Sequence, residues 1–286
     1  MLTVNTPAKI NLTLEVLGKR PDGYHDIRSI VQTVGLCDVL TFESDRWLII
    51  ESDSPEWSAE KSLIPQAVKL VCKECRVNPE INIKVEKRIP LVSGLGGDSS
   101  DAAATLKGLN EIWQLNLGKE KLLELAAKLG SDVPFFLHGG AVLMEGRGEI
   151  ITPLSLLPET WLVIMIPDVP RPVNKTARLY AGLQANHFTD GRITERMLQS
   201  IGGSRTLPPE LLFNTFENVA FEQYTGLKSY RNHILKTGAN DIHLAGSGPA
   251  LFSLVKNKAE GEELVERLQG QGMQTVLTCT LNSTEQ

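Results

Sequence analysis

Polar and apolar residues alternate from residue 8 to residue 16, in the sequence AKINLTLEV. Every second side chain is apolar, and Lys9, Asn11, Thr13 and Glu15 occupy the positions between them. A period of two predicts a half-buried β-strand, in which Lys9 and Asn11 project to the same side. Further strand-like runs, at residues 29–34, 39–43 and 47–51, follow a turn at Asp22-Gly23, so the opening third of the chain is predicted to be rich in β-structure.

A helical period then replaces the alternation. Residues 62–75 and 99–113 carry apolar side chains at helical spacing, and residues 81–90 between them read as a strand. A third helix, KEKLLELAAKL, is predicted to end at Gly130. The sequence SDVPFF restarts a helix, with Pro134 in the first turn. Asp132 is therefore predicted to lie at a helix junction.

The second half of the chain opens with an apolar strand, WLVIMIP, and a proline-rich segment, DVPRPVN. Two or three helices are expected next, then a strand, glycine turn and strand in DIHLAGSGPALFSLV, a helix near 259–269 and a final strand, TVLTCTL. This order predicts an α+β fold. A length of 286 residues favours two domains that share a cleft, with predicted bounds 1–153 and 154–286.

Charge and cysteine content narrow the class of protein. A formal net charge of −5 argues against a broad nucleic-acid surface. The N-terminus lacks a secretory signal pattern, and no apolar run is long enough to span a membrane. The four cysteines are too sparse for a disulfide framework, which fits a reducing, cytoplasmic location. Cys72 and Cys75 form a lone CxxC without the further ligands of a zinc site, so we interpret them as thiols on a helix.

A glycine-rich segment, PLVSGLGGDSSDAAATL, joins the strand ending near residue 90 to the helix beginning near residue 99. Glycines allow close approach of backbone amides to a phosphate, and a helix N-terminus favours an anion. The segment matches neither the Walker nor the dinucleotide-binding spacing. The alternative interpretation is a tight turn in which Asp98 or Ser99 caps the helix, with Asp101 near its third position.

Three blocks of the sequence resemble the GHMP kinases, a family that includes galactokinase, homoserine kinase and mevalonate kinase. PAKINLTLEV lies at the N-terminus, the glycine segment in the middle, and LAGSGPALF near the end. The resemblance implies a two-domain fold with its active site in the inter-domain cleft, ATP as co-substrate and Mg²⁺ on the nucleotide phosphates. It assigns ATP binding to Pro90, Leu91, Val92, Ser93, Gly94, Leu95, Gly96, Gly97, Asp98, Ser99 and Ser100.

No acidic metal cluster can be read from the spacing of carboxylates, so no protein metal site is predicted, and Ser100 is the one candidate protein ligand of Mg²⁺. Asp98 departs from the family pattern, which more often has a small residue there. A carboxylate beside a triphosphate is unfavourable unless it caps a helix, reaches Mg²⁺ indirectly or points outward.

The segments GKRPDGYHDIRS and LAAKLGSDVPFFLHGGAVLMEGRGE narrow the resemblance to the branch that phosphorylates a cytidine diphosphate-linked methylerythritol in the non-mevalonate isoprenoid pathway. This resemblance implies that Lys9 and Asp132 are catalytic, with Asp132 as general base and Lys9 as the orienting and charge-stabilising group. From the residues alone, a solvated strand lysine and a helix cap are the alternative interpretations.

The same branch implies a small-molecule substrate held by Asn11, Tyr24, His25, Thr176, Phe188, Gly246 and Ser247. Tyr24 would stack on the cytosine and His25 would bond its polar edge. The alternatives are that Tyr24 covers the core and His25 is an ordinary loop residue. Neither a nucleic-acid nor a membrane partner is expected, and the chain is expected to act as a monomer or homodimer.

Two rival functions stay open on the sequence. One is another GHMP activity, such as homoserine or mevalonate kinase. The other is a catalytically silent ligand sensor with the same fold, against which the presence of both Lys9 and Asp132 argues.

Overall fold

The computed structural model describes residues 1–201 and 207–282, which form strands and helices in mixed order. The strands are β1 (Leu2–Lys19), β2 (His25–Ser44), β3 (Ile49–Ser52), β4 (Ile81–Glu86), β5 (Ala141–Gly146), β6 (Ile150–Pro153), β7 (Trp161–Ile166), β8 (Phe213–Asn214), β9 (His243–Leu244), β10 (Leu251–Val255) and β11 (Gln274–Cys279). The helices are α1 (Ile64–Cys75), α2 (Gly97–Ile112), α3 (Lys119–Leu129), α4 (Val133–His138), α5 (Lys175–Gly182), α6 (Arg192–Ile201), α7 (Glu217–Gln223), α8 (Leu227–Lys236) and α9 (Lys258–Gln269). The predicted α+β class is confirmed.

The first sheet runs in the order β3-β4-β2-β1-β8, and β5 and β6 extend it beside β2. The two runs predicted at residues 29–34 and 39–43 are one continuous strand, β2. The residues between those runs stay extended because the register against β1 shifts between Pro7 and Ala8, whose partners are Cys37 and Val34. The register shift absorbs the extra residues without a turn.

The prediction that β1 is half-buried is wrong, because both of its faces are covered. Its polar residues Lys9, Asn11, Thr13 and Glu15 are between 0% and 6% exposed. Two of them contact α6: the hydroxyl groups of Thr13 and Thr194 are 2.9 Å apart, and Glu15 Oε2 accepts a hydrogen bond from the backbone N–H of Thr194. Alternation in sequence reports which side chains share a face, and cannot show whether another element covers the polar face.

A second sheet, in the order β11-β7-β10-β9, is antiparallel throughout. One apolar cluster packs α1 to α4 against the first sheet, and another packs α5 and α7 to α9 against the second. A third cluster lies between the sheets and joins Ile10 and Ile30 to Ile164 and Phe252. The two halves of the chain therefore share a packed apolar interface.

The segment between the sheets differs in detail from the prediction. Four α-helices, α5 to α8, occupy the stretch for which two or three were expected, and part of that stretch returns to the first sheet because β8 pairs in parallel with β1. The division at residue 153 stays a prediction. Within the described residues, no helix has both the length and the apolar character needed to cross a bilayer.

Candidate active site

The glycine segment leads into α2, and two of its glycines take backbone angles that other residues rarely adopt. Gly96 precedes the first helical residue with φ of 78°, and Gly94 has φ of 91°. A Cβ on Gly96 would lie 2.8 Å from the Phe136 ring and 3.0 Å from Lys9 Cγ. No side chain caps the start of α2, so the interpretation of this segment as a turn capped by Asp98 or Ser99 is wrong.

Gly94 packs the segment 90–100, which we call the phosphate loop after its predicted role, against the late glycine turn, residues 246–249. A Cβ on Gly94 would stand 2.2 Å from the carbonyl oxygen of Ala245 and 2.6 Å from the backbone nitrogen of Gly248. The neighbouring Ser93 carbonyl accepts a hydrogen bond from the backbone N–H of Ala250 at 3.0 Å. Two sequence blocks about 150 residues apart thus form one continuous wall.

Lys9 lies at the junction of this wall with β1. Its backbone N–H donates to the Leu95 carbonyl at 2.8 Å, and its ammonium Nζ donates to Asn11 Oδ1 at 2.8 Å. Asn11 Nδ2 in turn donates to Ser29 Oγ at 2.8 Å, which fixes the orientation of the amide. Burial lowers the pKa of Lys9, and the negative charge of Asp132 opposes that effect.

Asp132 immediately precedes α4 and directs its carboxylate towards Lys9. Its Oδ2 atom is 3.8 Å from Lys9 Nζ, and its side chain is 45% exposed in the cleft. The side chain makes no capping hydrogen bond to α4. Because this capping bond is absent, the geometry does not support the cap interpretation. The carboxylate is therefore available to a ligand in the cleft.

Asp98 caps a helix, but that helix is α1. Its Oδ1 atom accepts hydrogen bonds from the Ser62 hydroxyl at 2.9 Å and from the backbone N–H of Leu63 at 3.0 Å. Ser62 Oγ then accepts from the N–H of Ile64 at 3.2 Å. These bonds satisfy N–H groups that the first turn of a helix leaves unpaired. The departure from the family pattern therefore has a structural explanation.

A buried charge cluster supports the strand end from which the phosphate loop begins. Lys87 Nζ contacts carboxylate oxygens of both Asp38 and Asp101, and both carboxylates are fully buried. Asp38 Oδ1 also accepts the backbone N–H groups of Arg88 and Ile89, at 2.6 and 2.7 Å. Burial raises the pKa of Asp101 to about 7; the positive charge of Lys87 opposes that shift and the negative charge of Asp38 adds to it.

Aromatic rings form another part of the cleft lining. The His25 ring stacks on Tyr180 with centroids 4.7 Å apart and meets the Phe188 ring edge-on at 6.0 Å. Tyr24 is 57% exposed, and the Arg147 guanidinium lies 4.7 Å from its ring centroid. Burial lowers the pKa of His25, with a further contribution from Lys19, so its imidazole is neutral near pH 7. The core interpretation of Tyr24 does not hold.

The glycine turn brings the second half of the chain to the same place. Asn214 Nδ2 donates to the carbonyl of Gly246 at 2.8 Å, and the Tyr224 hydroxyl donates to the carbonyl of Ser247 at 2.7 Å. Thr176, at the start of α5, has its hydroxyl 3.0 Å from Ser247 Oγ. Lys175 Nζ also donates to Ser247 Oγ at 3.0 Å.

One cleft of about 870 Å³ contains almost every residue that the sequence singled out. Both predicted catalytic residues and all seven predicted substrate residues line it, together with Pro90, Leu91, Val92, Ser93, Gly94, Gly96, Gly97, Asp98 and Ser99. Leu95 and Ser100 lie behind the wall, 0% and 2% exposed. The Ser100 hydroxyl is buried without a hydrogen-bond partner among the described residues.

Among the cleft residues that the sequence reasoning missed are Tyr180, Lys175 and Arg147. Tyr180 had a usable signal, since it follows the predicted Thr176 by four residues and therefore lies on the same helical face. Lys175 and Arg147 carried no comparable signal, because their positions depend on contacts with Ser247 and Tyr24, which are distant in sequence.

Comparisons with known proteins extend over nearly the whole chain. Residues 62–140 match the family model "GHMP kinases N terminal domain". The chain is 49% identical over 281 residues to a 4-diphosphocytidyl-2-C-methyl-D-erythritol kinase of Dehalococcoides mccartyi, covering 98% of this chain and 99% of that protein. It is 36% identical over 271 residues to the protein of the same name from Shouchella clausii, covering 94% and 90%.

Solved structures with the same fold include a kinase for the same cytidyl substrate. A crystal structure of 4-(cytidine 5'-diphospho)-2C-methyl-D-erythritol kinase matches with a TM-score of 0.82 at 28% identity, covering 98% of this chain and 99% of that one. The L. major mevalonate kinase, solved with R-mevalonate, matches with a TM-score of 0.74 at 16% identity, covering 99% and 97%. At that identity the second likeness shows the fold alone.

Proposed function

This chain belongs to the 4-diphosphocytidyl-2-C-methyl-D-erythritol kinases, a branch of the GHMP kinases, and we propose that it transfers the terminal phosphate of ATP to the 2-hydroxyl of that cytidyl-bearing methylerythritol. It is an ATP-dependent kinase of isoprenoid precursor synthesis. The proposal concerns which hydroxyl reacts and which side chains act on it. A reaction between soluble metabolites agrees with the cytoplasmic location expected from the sequence.

A single observation carries the proposal. The Lys9–Asp132 pair, the phosphate loop and the His25–Tyr180 aromatic stack open onto one cleft of about 870 Å³. A kinase for this substrate needs a site for a triphosphate, a group that accepts a hydroxyl proton and a surface for a base, and the three features supply one each.

In the proposed transfer, the 2-hydroxyl oxygen forms a bond to the γ-phosphorus of ATP. The bond between that phosphorus and the bridging oxygen breaks, and ADP leaves with the electron pair. Asp132 accepts the hydroxyl proton at its carboxylate. Lys9, 3.8 Å from Asp132 Oδ2, orients that carboxylate and offsets the charge on the transferring group. Positioning and charge stabilisation supply much of the rate in phosphoryl transfer.

The residues around the phosphate loop fit a magnesium nucleotide. Among the described residues, no group of three His, Cys, Asp or Glu side chains could hold a metal, so Mg²⁺ would be bound chiefly by the phosphates. The Ser100 hydroxyl has no hydrogen-bond partner among the described residues, but it is 2% exposed and lies behind the wall of the cleft, so it does not fit as a further ligand. Bound to the phosphates, Mg²⁺ would neutralise part of their charge. Asp98 is already occupied by its bonds to the start of α1.

The aromatic part of the cleft fits the cytosine. Tyr24 presents an exposed ring face, and Tyr180 and Phe188 flank His25. A neutral imidazole has one donor and one acceptor nitrogen, so His25 can pair with the polar edge of a base. Burial raises the pKa of Tyr180 to about 12, so its phenol stays uncharged.

A coupled assay of ADP release tests this function. The cytidyl substrate, homoserine and mevalonate are offered separately with ATP and Mg²⁺, and release should depend on the cytidyl substrate. A ³¹P spectrum of the product should show a new phosphomonoester at the 2-position. Robust turnover of homoserine or mevalonate without turnover of the cytidyl substrate would refute the proposal.

A further inference from the structure

Lys175 lines the cleft, and the proposed reaction assigns no role to its amino group. It is the first residue of α5 and is partly buried. Its Nζ atom donates to Ser247 Oγ at 3.0 Å and to the carbonyl of Gly248. Within residues 1–201 and 207–282, no carboxylate forms an ion pair with it. A charge taken out of water is expected to have a partner, so Lys175 is poised for an anion that the chain itself does not supply.

The glycine turn connects Lys175 to the reacting pair. Gly246 packs so closely against Lys9 that a Cβ on it would stand 2.7 Å from Lys9 Nζ. Ser247 and Gly248, the next two residues, hold Lys175. Lys175 therefore approaches the reacting centre from the second half of the chain, while Lys9 approaches it from β1.

Charge around this centre is predominantly positive. Lys9 and Lys175 line it, and Arg171, which donates to the Leu91 carbonyl of the phosphate loop, lies close enough to lower the pKa of Lys175. The negative charge of Asp132 opposes them. The positive end of the α5 dipole adds to the same field. This arrangement suits a phosphate group of charge −2 better than a neutral sugar hydroxyl.

We infer that Lys175 is a phosphate-binding residue, which contacts a phosphate of the bound ligands beside the Lys9–Asp132 pair. The inference rests on the proposed function, since it takes the cleft to hold a nucleotide and a cytidyl diphosphate. Either could supply the phosphate: the terminal phosphate of ATP or the diphosphate of the cytidyl substrate. The rival role is a tether that holds the glycine turn in place through Ser247 and Gly248.

The protonation of Lys175 follows from the same surroundings. Burial and the positive charges of Lys9 and Arg171, opposed by the negative charge of Asp132, together lower the pKa of Lys175 to about 7. In the free protein the ammonium therefore loses its proton as the pH rises through about 7. A bound phosphate favours the charged form and raises the pKa, so binding should draw a proton from solution.

Binding measurements separate the phosphate role from the tether role. Dissociation constants are measured for adenylyl imidodiphosphate against adenosine, and for CDP against cytidine, with Mg²⁺ present. Lys175→Met should weaken binding of the phosphate-bearing ligand by about 10- to 100-fold, which is the usual contribution of a hydrogen bond to a charged group. The affinity for the corresponding nucleoside should be unchanged. Lys175→Arg keeps the charge and should retain part of the affinity. Lys236→Met, at an exposed position on α8, is the matched control.

The source of the phosphate is identified by which nucleotide binds more weakly to Lys175→Met. Weaker binding of adenylyl imidodiphosphate indicates the terminal phosphate of ATP, and weaker binding of CDP indicates the diphosphate of the cytidyl substrate. Equal weakening of nucleotide and nucleoside would show that Lys175 is a tether, and unchanged affinity for both nucleotides would leave it without a role; either overturns the inference. A wild-type protein that binds neither nucleotide would instead overturn the proposed function.

A second measurement needs no variant. Calorimetric titrations at pH 8, where ligand phosphates are already ionised, are repeated in buffers of different ionisation enthalpy. The wild-type protein should take up close to one proton with the responding nucleotide and none with its nucleoside. Absence of that uptake would overturn the inference even if the Lys175 variants failed to fold.

Discussion

Replacing Asp132 with Asn separates chemistry from stability at this site. The change removes the charge and keeps the shape. Because the Asp132 side chain makes no capping bond, no helix-capping energy is lost. The other structural loss is the ion pair with Lys9 at 3.8 Å, and Asp132 is 45% exposed, so solvent screens that pair. We expect the free energy of unfolding to fall by about 1 kcal/mol or less.

The chemical step should respond far more strongly. A general base typically contributes ~10²–10⁴ in rate, which corresponds to about 3–5 kcal/mol of activation free energy. Phosphoryl transfer has a loose transition state with late deprotonation, so we expect the lower part of this range. Rapid-quench single turnovers with saturating ATP and cytidyl substrate measure this step apart from product release, and equilibrium titrations confirm that both ligands still bind.

Asp190→Asn is the matched control. Asp190 also precedes a helix, where its Oδ1 accepts the backbone N–H of Arg192 at 3.2 Å, but it lies outside the cleft. It should leave the rate unchanged. Lys9→Met and the Asp132→Asn/Lys9→Met double variant complete a double-mutant cycle. The loss of activation free energy in the double variant should be smaller than the sum of the two single losses, because the two residues act as a unit. A wild-type single-turnover rate in folded Asp132→Asn would remove Asp132 from the mechanism.

Substitutions at three further residues test how the site is supported. Gly94→Ala should abolish measurable ATP binding in titrations, because the new Cβ would lie 2.2 Å from the Ala245 carbonyl; wild-type affinity would contradict this packing. Asp98→Ala should lower the free energy of unfolding by about 0.5–2 kcal/mol through loss of the cap at Leu63, and Asp98→Asn should restore most of it in denaturant titrations. Because burial raises the pKa of Asp101 to about 7 from 3.8, the folded protein keeps that proton as the pH rises through this window and the unfolded chain loses it. Wild-type stability should therefore fall more steeply from pH 5 to pH 7.5 than that of Asp101→Asn, and parallel pH profiles would refute the buried-proton explanation.

Sequence reasoning predicted the local geometry correctly where that geometry depends on residues that are close together in the sequence. The phosphate loop needs Gly94 and Gly96 between a strand and a helix, and those residues are adjacent in the chain. Lys9 and Asn11 share a face of β1 because a strand has a period of two, and their side chains are hydrogen-bonded. The junction at Asp132 follows from Gly130 and the SDVP pattern.

Sequence reasoning failed where a residue contacts a partner that is distant from it in the sequence. Asp98 lines the cleft, and its assignment to ATP binding stays a prediction, but the cap of α2 that it was offered as is wrong. Its carboxylate caps α1, whose first residue is 34 positions earlier. The polar face of β1 was expected to meet water, but α6 covers part of it. Neither contact leaves a local pattern, because each depends on the packing of two elements that are separately amphipathic.

The location of the reacting centre follows from how the two sheets pack. β1 carries Ile10 in the apolar cluster between the sheets and Lys9 in the cleft, so adjacent residues of one strand face the inter-sheet core and the ligands. The glycine turn follows β9 of the second sheet and meets β1 again at Lys9. Because a close-packed interior transmits small displacements, the geometry of Lys9, Asp132 and Ser247 depends on the fit of this inter-sheet cluster. The proposed reacting pair, Lys9 and Asp132, lies within the first half of the chain, and the glycine turn of the second half completes the site around it, so the proposed catalytic geometry depends on the contact between the two halves.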